Sequence, residues 1–256
     1  MFSHLKEPEI LKKITKYNFV PQLVSSFQDY DYLYLVTTYY EGKNFQHFRK
    51  NNMTEEQIKF VSACVIQALE YLRNEQIIHR DVCPVNIIMD SERYFNLIDF
   101  SFSIEYQLKS DKKLYLNTYD MVTPPEMLLY SEYDYDSDYY RLGQLILFLI
   151  YKKYPLNLEQ IEKNKLITTR NYSAQLYHFV RVTTKENKKE RLGYKNIAEL
   201  MNHRWFVGFN WKKLEKKQII SPFNKNEFKI NRSICSKFNK NLIDVRRYLI
   251  IKNQYM

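Results

Sequence analysis

Glycine is scarce in this 256-residue chain: there are four, Gly42, Gly143, Gly193 and Gly208, and they lie far apart. Loops that wrap a phosphate in backbone N–H groups need clustered glycines, so a G-x-G-x-x-G or Walker-type loop is excluded. Cysteine is equally sparse. Cys64, Cys83 and Cys235 form an odd set with no paired spacing, which excludes a disulfide framework and reads as reduced intracellular thiols. Long apolar runs are missing as well. The longest, residues 142–151, contains Gly143 and Gln144 and is too short to span a bilayer. The opening MFSHLKEPEI has no apolar core of the signal-peptide kind. The expectation is a soluble cytoplasmic protein with no membrane partner.

The content that is present fits a globular protein. Hydrophobic residues make up 45% of the chain, and the length allows one large domain or two small ones. Lys and Arg outnumber Asp and Glu by 39 to 29, a net charge of +10. The lysines are dispersed among Asn, Tyr and Ile, and only 212–217 and 225–247 are densely basic. Charge is therefore the whole case for a nucleic-acid partner, and charge alone is a weak footprint.

Periodicity divides the chain unevenly. Residues 5–16 read as a short helix with Ile10, Leu11 and Ile14 on one face and Pro8 in the first turn. Residues 20–28 and 32–40, rich in β-branched and aromatic side chains, read as an antiparallel hairpin. Thr54-Glu55-Glu56-Gln57 is a capping box opening a long helix that ends near Asn74. Further helices are expected at 137–152, 173–184 and 196–203. The tail, 209–256, shows some helical pattern around 241–251 and no clear core of its own. The fold class is α+β: a small mixed N-terminal piece (1–40), a larger helical lobe (41–208) and a tail (209–256).

One stretch concentrates the chemistry. His79-Arg80-Asp81 is followed by Asn86, five residues after Asp81, and by Asp99-Phe100-Ser101, with Asp99 eighteen after Asp81. Pro124-Pro125-Glu126, Asp138-Tyr139-Tyr140-Arg141-Leu142-Gly143 and Glu190-Arg191-Leu192-Gly193 follow in order. Together these resemble the eukaryotic protein kinase motifs H-R-D-x-x-x-x-N, D-F-G, A-P-E and D-x-W-S-x-G. The exit, His203-Arg204-Trp205-Phe206 through Ser221-Pro222-Phe223, resembles the AGC group and most of all its cyclic-nucleotide-dependent Ser/Thr kinases. The likeness covers roughly residues 5–223.

The resemblance implies a kinase-like fold, ATP and Mg²⁺ as cofactors, and a protein substrate. It assigns Asp81 as the base on the substrate hydroxyl and Asn86 and Asp99 as magnesium ligands. Thr38, Tyr40, Phe45 and Ile88 would line the adenine site behind Thr37. Glu7 matches the helix glutamate that holds an ATP-anchoring lysine. Arg80 would bind a phosphate on the activation segment, whose candidate acceptors are Ser110, Tyr115, Thr118 and Tyr119. His79 and Phe100 are core residues, Glu126 and Arg191 a buried ion pair, and Asp138 a cap on the catalytic-loop amides.

The departures matter equally. Cys83 stands where the family's phosphate-contacting lysine belongs, and no cation lies between Asp81 and Asn86. A lost transition-state cation costs on the order of 10²–10³ in rate. Ser101 replaces the flexible glycine after Asp99-Phe100. Asn44, Val85 and Phe148 replace the acidic readers of basophilic substrates. With Glu7 so near the start, the anchoring lysine, the glycine-rich loop and strands 1–3 of the small lobe are expected to be missing, leaving the 20–40 hairpin with an exposed edge that either a partner or the missing lobe would cover. The expected function is an impaired or inactive Ser/Thr kinase, with a pseudokinase scaffold or binding module as the alternative and a basic nucleic-acid binder a distant third.

Overall fold

The computed structural model describes residues 6–14, 16–30, 32–42, 44–45, 52–106, 122–152, 172–224 and the backbone of 248–254. The four candidate phosphoacceptors, Ser110, Tyr115, Thr118 and Tyr119, lie outside the described residues.

Helix α1 (Glu7–Lys13) has Pro8 in its first turn, acidic residues at its start and Lys12 and Lys13 at its end, each placed as the helix dipole favours. It buries Ile10 and Leu11 and stops where Ile14 turns extended. Strands β1 (Leu23–Gln28) and β2 (Tyr32–Thr38) form the antiparallel hairpin. Alternation along β2 puts Leu33, Leu35 and Thr37 inward.

The hairpin does not end at β2. Strand β7 (Tyr248–Gln254) pairs antiparallel with β2 over its whole length, from Tyr32↔Gln254 to Thr38↔Tyr248, giving the order β1-β2-β7. Two expectations are corrected here. Residues 248–251 are strand, not helix, because a short apolar run takes its conformation from the edge available to it. The β2 edge is covered from within the chain rather than left open for a partner.

Helix α2 (Glu55–Asn74) opens on the full capping box, Thr54 Oγ1 accepting from Gln57 N while the Gln57 side chain accepts from Thr54 N. It is buried along most of its length and crosses the core with α4 (Tyr135–Tyr151), itself capped by Asp134 and Ser137. Between them come β3 (Ile77–Ile78), a 3-10 turn at Pro84–Asn86, β4 (Ile87–Met89), β5 (Phe95–Leu97), β6 (Ile104–Glu105) and helix α3 (Pro125–Tyr130). β4 pairs with β5 and β3 with β6, all antiparallel.

Helices α5 (Ala174–Thr183), α6 (Ala198–Met201) and α7 (Trp211–Glu215) complete the lobe. The helix expected over 196–203 is thus a single turn. Gly143 sets the closeness of α4 and α5, since a Cβ there would lie 2.5 Å from the Thr184 methyl and 2.7 Å from the Thr183 hydroxyl. Residues 209–224 pack on the lobe: Leu214 and Phe223 are buried, and Lys217 pairs with Asp90 at 2.6 Å. Among the described residues no helix is long and apolar enough to cross a membrane.

Candidate active site

The site is built where the loop after β3 passes over the first turn of α4. Asp138, buried on that turn, accepts the His79 N–H and the Arg80 N–H at 2.8 Å each and the Tyr133 hydroxyl at 3.1 Å. Burial lifts its pKa to about 6 against the pull of those donors. His79 is fully buried, and burial lowers it to about 4. The neutral ring accepts the Asp81 N–H at Nδ1, 3.2 Å, and donates from Nε2 to the Ile98 carbonyl, 3.2 Å, so its bonds fix the tautomer. The Phe100 ring meets it edge-on at 4.9 Å.

Asp81 and Asn86 are joined directly. The Asn86 amide donates to Asp81 Oδ2 at 2.7 Å and to the Asp81 carbonyl at 3.0 Å. Asp99 is brought beside them by the β4–β5 ladder, in which Ile87 faces Leu97 and Ile98 N–H donates to the Asn86 carbonyl at 2.9 Å. Asp99 is exposed and sits at φ 66°, as Arg80 sits at φ 70°. Left-handed backbone at non-glycine residues is costly and recurs at functional sites. The Arg80 guanidinium is buried over the Tyr133 ring at 5.5 Å.

The departures have visible consequences. Ser101 donates to Asp99 Oδ1 twice, from its hydroxyl at 2.6 Å and from its N–H at 3.1 Å. The thiol of Cys83 is pushed up to about 12, first by burial and then by the charge of Asp81. It stays neutral and cannot stand in for a cation. Glu7 is buried, and its Oε1 accepts the Phe100 N–H at 3.2 Å. Desolvation, with Asp99 nearby, raises it to about 7.

Glu126 and Arg191 meet in a two-pronged contact of 2.7 and 2.8 Å, and Arg191 also reaches Asp136 at 2.9 Å. Burial alone would raise Glu126; the guanidinium more than offsets it and holds the carboxyl below its ordinary range. Asp136, with less of that contact, is raised by burial to about 6.

On the adenine side, Thr38 ends β2 with its N–H on the Gln22 carbonyl at 3.0 Å. The Tyr40 hydroxyl donates to the Val20 carbonyl at 3.0 Å. Ile88 is half-buried and bridges to Asn44. Phe45 is 1% exposed and stacked on Phe95 at 4.9 Å.

Hard oxygen ligands suit Mg²⁺, which takes one or two carboxylates and completes its shell with water and phosphate. The Asn86 carboxamide and the Asp99 carboxylate fit that donor set. No cluster of three or more His, Cys, Asp or Glu able to hold a metal occurs among the described residues. Sequence reasoning missed Arg141, whose Nη1 lies 3.6 Å from Asp81 Oδ1; nothing local in the sequence signals a contact across sixty positions.

The family model described as "Protein kinase domain" matches residues 3–206. Human cGMP-dependent protein kinase 2 is 31% identical over 234 residues, covering 86% of this chain and 30% of that protein. A Drosophila melanogaster cGMP-dependent protein kinase, isozyme 2, is 29% identical over 222 residues, 81% of this chain and 23% of that one. A probable serine/threonine-protein kinase of Dictyostelium discoideum is 30% identical over 229 residues, 86% of this chain and 50% of its own length. The chain spans half or less of the length of these relatives.

Proposed function

Because the chain belongs to the protein kinase domain family, we propose that it is a Ser/Thr-type kinase domain with its base and metal ligands assembled and its phosphate clamp weakened. The observation that carries this reading is the Asp81–Asn86 contact at 2.7 Å, with Asp99 joined to the same loop through Ile98. Asp81 orients a substrate hydroxyl and takes its proton on the carboxylate. Asn86 and Asp99 would hold Mg²⁺, which supplies charge neutralisation for the phosphates of ATP. Thr38, Tyr40 and Ile88 would border the adenine.

The reading includes a slow rate. The Cys83 thiol is neutral, Ser101 occupies one Asp99 oxygen, and Glu7 is a buried carboxyl raised to about 7 that accepts the Phe100 N–H. These features also favour a second reading, a binding module that keeps the kinase shape without turnover.

Transfer of labelled phosphate from Mg-ATP to a generic protein substrate separates the two, with Asp81→Asn as control. The first reading expects a signal well below the 1–100 s⁻¹ usual for kinases, and Asp81→Asn abolishes it. A wild-type signal equal to that of Asp81→Asn favours the binding module. A rate in the ordinary range overturns the weakened clamp.

A further inference from the structure

We propose that Arg141 is a positioning residue that holds the Asp81 carboxylate from inside the helical lobe, a cation that α4 aims at the base. The inference rests on the reading of Asp81 as the base.

Asp138 and Arg141 are three residues apart on α4, so both project from one helix face toward the same loop. Asp138 takes the N–H groups of His79 and Arg80 at 2.8 Å. Arg141 takes the next residue, its Nη1 lying 3.6 Å from Asp81 Oδ1. One helical turn therefore grips three consecutive residues of the loop. From the other side, the Asn86 amide holds Asp81 Oδ2 at 2.7 Å. The carboxylate therefore has a hydrogen bond at one oxygen and an ion-pair contact at the other.

The burial is asymmetric and informative. The Arg141 side chain is 3% exposed and that of Asp81 22%. An enclosed guanidinium is costly unless paired, and the motif this segment resembles has serine at that position. The groups whose charges act on one another here are Asp81, Asp138, Arg80 and Arg141, with neutral His79, Cys83 and Tyr133 among them. Asp99 also acts on His79 from the metal side of the loop. Arg141 is too deeply buried to reach a phosphate, so it supports the base and leaves the missing phosphate contact unfilled.

Two measurements on the full chain test this. In steady-state transfer, Arg141→Gln should lower kcat about tenfold or more with KM for ATP held within about twofold. Arg141→Lys, which keeps the charge but not the planar fork, should recover part of it. An unchanged kcat, or a loss confined to KM, overturns the proposal. The second measurement needs no turnover. Melting temperatures of Asp81→Asn, Arg141→Gln and the double variant should show singles whose summed losses exceed the double's by about 2 °C or more. Additive losses overturn the pairing. If Arg141→Gln does not fold, Arg141→Met completes the cycle. A wild-type chain without transfer defeats the kinase reading of the preceding subsection, and the melting cycle then decides the Arg141–Asp81 contact by itself.

Discussion

Replacing Glu7 with Gln tests how a buried carboxyl on α1 tunes stability with pH. Glu7 is 3% exposed on α1, and its Oε1 accepts the Phe100 N–H at 3.2 Å. Burial first, and Asp99 second, raise its pKa from 4.5 to about 7, while the Phe100 N–H pulls it down. Between those values the folded protein holds a proton that the unfolded chain has released. The contribution to stability is complete below pH 4.5 and is lost as the pH rises through about 7. At 1.36 kcal/mol per pKa unit, the displacement corresponds to about 3 kcal/mol across that window. Gln keeps the carbonyl that accepts the Phe100 N–H and never ionises. Glu7→Gln should therefore melt within about 3 °C of wild type at pH 5 and roughly 6–12 °C above it at pH 8. Asp136 and Asp138, both raised to about 6, titrate in both proteins and cancel in the difference. Thermal melts followed by circular dichroism from pH 5 to 8.5 make the comparison. Parallel curves across the range, or a variant less stable at pH 8, would refute the reasoning.

Four further outcomes are expected. Arg191→Ala leaves Glu126 and Asp136 buried without their guanidinium and should cost about 3–5 kcal/mol in urea unfolding; a loss under 1 kcal/mol would contradict the geometry. Ser101→Gly frees the Asp99 oxygen that the serine occupies and should enlarge the Mg²⁺-dependent part of the thermal shift given by ATP; no change would mean that the hydroxyl does not compete. Cys83→Lys alone should not restore strong phosphoryl transfer, because the chain has no clustered glycines to enclose the phosphates; robust turnover by that variant would overturn this. Removing residues 248–256 unpairs one edge of β2, so the β2 amides should exchange hydrogen faster in mass-spectrometric labelling while α2 and α4 keep their protection.

Local chemistry was the legible part of this fold. Thr54 and Gln57 announce α2 because a capping box satisfies helix-end donors within four residues. Helix α4 begins two residues before the expected 137, because its box, Asp134 with Ser137, uses serine rather than Glu or Gln at the third position. Helix 196–203 shrank to Ala198–Met201, a length at which neighbours, not propensity, set the boundaries. Strand β7 is not legible locally because Tyr248–Ile251 is an apolar run that either period can accommodate, and only the β2 edge decides it. Within the site, the spacing of Asp81, Asn86 and Asp99 carried the resemblance. The hydroxyl of Ser101 turning back on Asp99 is a local bond of the kind serine makes readily, yet the sequence drew notice only to the lost glycine. Arg141 had no such local sign, since its partner comes from tertiary packing alone.

The pairing of β2 with β7 also sets an order of events. Tyr32 and Gln254 are neighbours in the sheet but more than two hundred residues apart in sequence. On the ribosome β2 is made early, and the strand that covers it follows only after both lobe-crossing helices have been synthesised. Through that interval an edge with Leu33, Leu35 and Val36 along it stands open. Contacts of such long range form slowly and leave apolar edges exposed to other chains. The yield of folded protein is then governed by how well that early edge is shielded during synthesis, and slowing elongation over the first forty residues should matter less than slowing it over the last fifty.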